Sequence, residues 1–144
     1  MAHCRRLAAL PADERLRLLH AALVVATVRL ALLALPFRRV RAFVDARQPA
    51  PQRSGRVAAN QWAWAVGVAA RRIPGASCLT QALALQWLLA RTGQSSQIHV
   101  GVTKHGARGI ESHAWLESGG EILIGGDEPL DRFVPILKLP ANGS

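Results

Sequence analysis

The longest apolar stretch of the chain runs from His20 to Phe37 and contains one charged residue, Arg29, before Pro36. A helix start is predicted just before it, because residues 11–14 combine a proline with two acids in the first turn. A membrane span needs about 20 apolar residues, and this run is interrupted by a charge and ended by a proline. The pattern therefore predicts a buried or surface-docked helix, while the basic cluster at 38–41 leaves peripheral membrane contact open.

The middle of the chain changes between helical spacing and loop residues. A short helical piece is predicted over Arg38–Ala46, and the stretch 47–55, RQPAPQRSG, has the proline and glycine content of a loop. A further helix is predicted over Val57–Arg72. Another is predicted over Cys78–Arg91, with Gly93 as its C-terminal stop.

The last third of the chain has the period of two that is typical of strands. Turn residues separate three alternating segments, which are SQIHVGVT, IESHAWLE and EILIGG. The prolines of a fourth segment, DRFVPILKLP, indicate an edge strand or a coil. Antiparallel strands behind one helix predict an α+β fold. The chain is expected to form one compact unit with a helical, arginine-rich arm, residues 1–55, and a core, residues 56–144.

Composition and charge narrow the function classes. Half of the 144 residues are apolar, which excludes a disordered chain. Residues 1–77 carry 13 Arg, no Lys and 3 acids, whereas residues 78–144 carry 5 basic and 6 acidic residues. An anionic partner would therefore meet the N-terminal half, although a GC-rich genome also produces arginine without lysine. No aromatic-plus-basic strand motif accompanies the arginines, so nucleic acid is not an expected partner.

The cysteines bear on the compartment and on metal binding. Cys4 and Cys78 are too few for a disulfide framework, and no cleavable signal peptide is visible, so a reducing cytoplasm is the expected location. Zinc sites need closely spaced Cys and His pairs, which the sequence lacks, as it lacks a phosphate-binding glycine motif. Neither a metal nor another cofactor is expected.

Cys78 is the candidate nucleophile because it directly follows Ser77 at a predicted helix start. Unpaired backbone N–H groups and the helix dipole favour a thiolate there, and the same groups can stabilise an oxyanion. The alternative is a small buried apolar residue, as free cysteines often are. His113 on IESHAWLE is the candidate base, with His99 on the preceding strand as its rival.

A third group should orient the imidazole. Asp127 is the first aspartate after the strand EILIGG and is the predicted partner of His113. A backbone carbonyl or amide is the alternative.

These residues resemble a known family. PGASCLTQALALQWLLARTGQSSQIHVGVTK, SHAWLESGGEILIGG and FVPI are similar to the lasso-peptide leader peptidases, which have a transglutaminase-like cysteine protease fold; the similarity runs from about Trp62 to Leu137. The apolar arm ending in LPFRRV is also similar to the N-terminal helices of that family. The chain departs from the family at Gly125, where several members have an aspartate.

The resemblance implies a Cys-His-Asp peptidase that removes the leader from a ribosomally made precursor peptide, with Cys78 as nucleophile and His113 as base. It also implies a separate leader-recognition protein and an ATP-dependent cyclase, which joins the released α-amine to an Asp or Glu side chain. Two alternatives stay open. One is another transglutaminase-fold acyltransferase or amidase, and the other is a non-catalytic, basic partner- or membrane-binding protein.

Overall fold

The computed structural model describes residues 9–46, 56–104, 107 and 109–140. Cys4 and the predicted loop 47–55 lie outside these residues. The described helices and strands form an α+β fold, as predicted. In chain order they are α1 (Ala12–Ala34), α2 (Phe37–Ala46), α3 (Arg56–Ala70), α4 (Cys78–Arg91), β1 (Gln97–Lys104), β2 (Ile110–Ser118), β3 (Glu121–Ile124), a 3-10 turn (Leu130–Arg132) and β4 (Val134–Pro140).

Helix α1 has two different faces. One face is buried against α3 and α4, and its apolar side chains belong to the main core; they are Ala21, Val24, Val25 and Val28. The opposite face carries five leucines that are each about two-thirds exposed: Leu16, Leu19, Leu23, Leu30 and Leu33. In the described part of the chain, α1 alone is long and apolar enough to cross a membrane, and 22% of its most apolar window is buried.

Arg29, the one charged residue inside the apolar run, packs against the loop that precedes α4. Its guanidinium packs over Gly75, in the loop that leads into α4, where the positive φ of 75° and the lack of a Cβ leave room for it. Arg29 therefore connects α1 to the segment that precedes Cys78.

Helix α4 lies at the centre of the molecule and has defined ends. Ser77 caps its N-terminus by accepting a hydrogen bond from the Thr80 backbone N–H at 3.3 Å. Gly93, with φ of 79°, ends it in a Schellman arrangement, in which the Gln94 N–H donates to the Leu89 carbonyl at 2.9 Å. The predicted stop at Gly93 is thus confirmed.

The four strands form one antiparallel sheet in the order β3-β2-β1-β4. Segment β4 is an edge strand, one of the two alternatives predicted for it, and it pairs with β1 rather than with its neighbour in sequence. One face of the sheet belongs to the main core with α4 through Ile98, Ala114 and Leu116. The short strand β3 is the opposite edge.

A buried polar side chain joins these layers. Gln86 on α4 is fully buried and donates to the carbonyl oxygens of Ser96 at 3.3 Å and Leu139 at 3.1 Å. Its own oxygen accepts a hydrogen bond from Arg41 on α2, which also donates to the Pro140 carbonyl. Because a buried polar group without a partner is costly, this network fixes α2 and β4 on α4.

Candidate active site

Cys78 occupies the first position of α4, directly after the capping residue Ser77. Its side chain is half-buried and not part of a disulfide. The first-turn backbone N–H groups of α4 have no partner within the helix, apart from the one that Ser77 caps. They give this end of the helix the partial positive charge that favours an anion.

His113 lies near the middle of β2 and is held on several sides. Its Nε2 atom is 2.7 Å from the carbonyl oxygen of Gly125, which follows β3. A carbonyl only accepts hydrogen bonds, so Nε2 carries the proton of the neutral ring and Nδ1 is left as the acceptor. The ring also packs against Phe133, with centroids 5.2 Å apart, and against Trp115 at 6.3 Å. Position and tautomer are therefore both defined.

Gly125 can make this contact because it has no side chain. Its φ is 82°, a conformation that L residues rarely adopt. A Cβ at this position would lie 2.6 Å from the Ala114 carbonyl oxygen and 2.8 Å from the Trp115 Cα. An aspartate here would meet the same backbone atoms. The group that contacts His113 from this position is a backbone carbonyl.

The structure places Asp127 beside the site but not on the imidazole. Asp127 is exposed and lines the same cleft as Cys78 and His113. The atom that accepts from His113 Nε2 is the Gly125 oxygen. The predicted orienting contact from Asp127 is therefore replaced by the backbone alternative, while the catalytic roles stay predictions.

The rival base His99 lies elsewhere in the sheet. It is buried on β1, and its ring stacks on Trp115 with centroids 5.5 Å apart and planes 7° from parallel. Its Nε2 lies 3.2 Å from Glu117 Oε2, a distance typical of an ion pair, but without the alignment of a hydrogen bond. Since the residues that line the cleft include His113 and not His99, the geometry favours His113.

A cleft of about 730 Å³ holds the candidate residues. Strand β3 and the following residues Gly125 to Glu128 form one side, and α3 forms the other. Cys78 and His113 both line it, without a direct hydrogen bond between them among the described residues. Catalytic hydrogen bonds are often long or poorly aligned in the absence of substrate. The lack of a direct hydrogen bond between Cys78 and His113 is therefore compatible with proton transfer once a peptide is bound.

The sequence did not indicate that α3 would form a wall of the cleft. Its contribution comes from a helical face with the spacing i, i+3, i+4 and i+7, namely Asn60, Ala63, Trp64 and Gly67, and Arg71 lines the cleft just after the helix ends. Gln81, one turn after Cys78, also lines the cleft, and its amide donates to the Ala76 carbonyl at 3.4 Å. The periodicity was visible in the sequence, but nothing there indicated which face would meet β3.

The groups around the cleft are suited to thiol chemistry. In the residues that the structure describes, no three His, Cys, Asp or Glu side chains come together as a metal ion would require. The arrangement can instead supply a thiol, an imidazole with a free Nδ1 and backbone N–H donors around one cleft. These are the groups needed for acyl transfer through a thioester.

Comparison with known proteins gives one match. The model of the family described as the transglutaminase-like superfamily matches residues 22–138, which include most of α1 and all the site residues above. No curated protein matches the chain, and no solved structure matches it.

Proposed function

Because the chain belongs to the transglutaminase-like superfamily, we propose that it is a cysteine peptidase that removes the leader from a lasso-peptide precursor before macrocyclisation. Members of this superfamily commonly carry out cysteine-based peptidase or acyl-transfer chemistry. The observation that supports the proposal most is the shared cleft of Cys78 and His113, with the imidazole held by Gly125. The choice of precursor rests on the motif resemblance of CLTQALALQWLL and HAWLE.

The proposed reaction begins when the Cys78 thiol transfers its proton to His113 Nδ1. The thiolate attacks the carbonyl carbon at the junction of leader and core, and the first-turn N–H groups of α4 stabilise the oxyanion. The C–N bond then breaks, His113 protonates the departing amine, and the leader stays on Cys78 as a thioester. Water, deprotonated by His113, hydrolyses the thioester and releases the leader as a carboxylic acid.

The proposal also includes partners and location. The described part of the N-terminal arm consists of helices, so a separate protein is proposed to present the leader. The released core amine would be the substrate of an ATP-dependent cyclase. The arginine-rich N-terminal half is a proposed docking surface for the recognition protein or for an acidic part of the leader. Since these proteins act on a newly made precursor, a cytoplasmic location is proposed.

The test is cleavage of a lasso-peptide precursor, with and without a recognition protein, in water enriched in ¹⁸O. Mass spectrometry should find the free core peptide and a leader whose new carboxylate contains one ¹⁸O atom. Cys78→Ala and His113→Ala should both abolish this product, while Gln61→Ala, an exposed α3 position outside the cleft, should retain it.

The same experiment separates the alternatives. Conjugation of the leader to an added primary amine, in place of ¹⁸O incorporation, would assign an acyltransferase. Cleavage by Cys78→Ala at the wild-type rate would refute a cysteine peptidase, and an absence of any Cys78-dependent product would favour a non-catalytic binding protein.

A further inference from the structure

Gly67 occupies a position where neither the backbone nor the packing requires a glycine. It lies in the interior of α3, where glycine is the least favourable residue after proline. Its φ is not in the positive range, and an added Cβ would meet nothing within 4 Å. The missing side chain therefore has no structural explanation within the fold, in contrast to Gly125.

The open space beside Gly67 is part of the cleft that contains Cys78 and His113. On the same helix, Trp64 lines the cleft with 45% of its surface exposed. Ile122 on β3 lines it from the other side and is also 45% exposed. Apolar side chains that face a concave site and remain uncovered are typical of ligand pockets. The cleft thus has an exposed apolar side chain on each side and, on α3, a place without a side chain.

We infer that Gly67 is the floor of a subsite for a large apolar side chain of the peptide substrate, close to the scissile bond. Trp64 and Ile122 would contact that side chain, and its burial between them would add binding free energy. A larger residue at position 67 would occupy the subsite itself. Gly67 is therefore a specificity-determining residue, and this role rests on the proposed peptidase function.

The first test measures alkylation of Cys78, which needs no natural substrate. Iodoacetamide is the small reagent, and benzyloxycarbonyl-phenylalanyl chloromethyl ketone is the large apolar one. In each case a C–S bond forms and a halide leaves. Gly67→Leu should lower the rate with the chloromethyl ketone at least tenfold relative to the rate with iodoacetamide. Gln61→Leu adds the same side chain on α3 outside the cleft and should leave the ratio of rates unchanged.

Gly67→Ala provides a second variant that is expected to fold better than the wild type. Alanine should raise the melting temperature by roughly 2–4 °C, because it is the more favourable helix residue and meets no neighbour. The same variant should already reduce the rate with the chloromethyl ketone. A purely structural role would not both raise the melting temperature and lower the rate with the chloromethyl ketone relative to the rate with iodoacetamide.

The inference and the proposed function fail in distinguishable ways. An unchanged ratio of alkylation rates in folded Gly67→Leu, or an equal loss with both reagents, would overturn the subsite even if the wild type cleaves precursor. A wild-type protein that cleaves no precursor would overturn the peptidase proposal, whatever the ratio is. If both hold, a precursor with a large apolar residue near the junction should be cleaved faster than its alanine variant by the wild type, and it should lose that advantage in Gly67→Leu.

Discussion

The contact between Gly125 and β2 can be tested by the substitution Gly125→Ala. An L residue at a φ of 82° carries a conformational penalty of about 1–2 kcal/mol. In addition, the new Cβ would lie 2.6 Å from the Ala114 carbonyl oxygen and 2.8 Å from the Trp115 Cα. Both are backbone atoms of a paired strand, so they cannot move aside by a change of rotamer.

Gly120→Ala is the matched control. Gly120 has the same φ of 82°, and an added Cβ there would meet nothing within 4 Å. It should lower the free energy of unfolding by about 1–2 kcal/mol. Forced overpacking typically adds about 1–3 kcal/mol, so Gly125→Ala should lower it by about 2–5 kcal/mol in total. The difference between the two variants isolates the close approach of Gly125 to β2.

The assay is urea denaturation followed by tryptophan fluorescence, since Trp115 is buried next to the site. Gly125→Ala should also slow cleavage, because displacement of the carbonyl removes the acceptor of His113 Nε2. If Gly125→Ala and Gly120→Ala reduce stability equally, the close contact does not exist. The backbone-oriented imidazole would then be refuted.

Three further predictions concern other parts of the molecule. Gln86→Leu should lower the free energy of unfolding by about 1–3 kcal/mol in urea denaturation, because two buried carbonyl oxygens lose their donor; an unchanged midpoint would contradict the network. Burial raises the pKa of Asp45 against the opposing effect of Arg41, so this carboxyl weakens the fold as the pH rises from about 3.9 through its raised value. Asp45→Asn should remove that decline from a series of melting temperatures between pH 3.5 and 7, and parallel curves for the two proteins would exclude the effect. Asp127→Asn should keep kcat/KM within about twofold of wild type, whereas a loss of about 10²-fold or more would return Asp127 to a catalytic role.

Local signals were sufficient to predict much of the fold. Ser77 before an apolar helical run predicts a capped helix that begins at Cys78, and Gly93 predicts its end. Alternation in IESHAWLE predicts a strand, and the prolines of β4 predict an edge strand or a coil, of which the structure has the edge strand. Each of these signals acts within a few residues of the feature that it predicts.

The parts that were not predicted depend on contacts between distant segments. The pairing of β4 with β1 joins Gln97 to Pro140, and no local pattern specifies it. The position of α3 over the cleft depends in the same way on tertiary packing. Residue types can indicate a carboxylate such as Asp127, whereas the acceptor on His113 is a main-chain oxygen, which every residue has. Only the backbone geometry at Gly125 reveals it.

The most direct test of the central claim is mass spectrometry of the intact protein after acid quenching during turnover of the precursor. The account predicts a species heavier than the free protein by the leader minus one water, with the added mass located on Cys78 and absent from Cys78→Ala. His113→Ala should prevent both this species and the free core peptide. Leader removal that continues in Cys78→Ala, with no acyl group on the protein, would contradict the account.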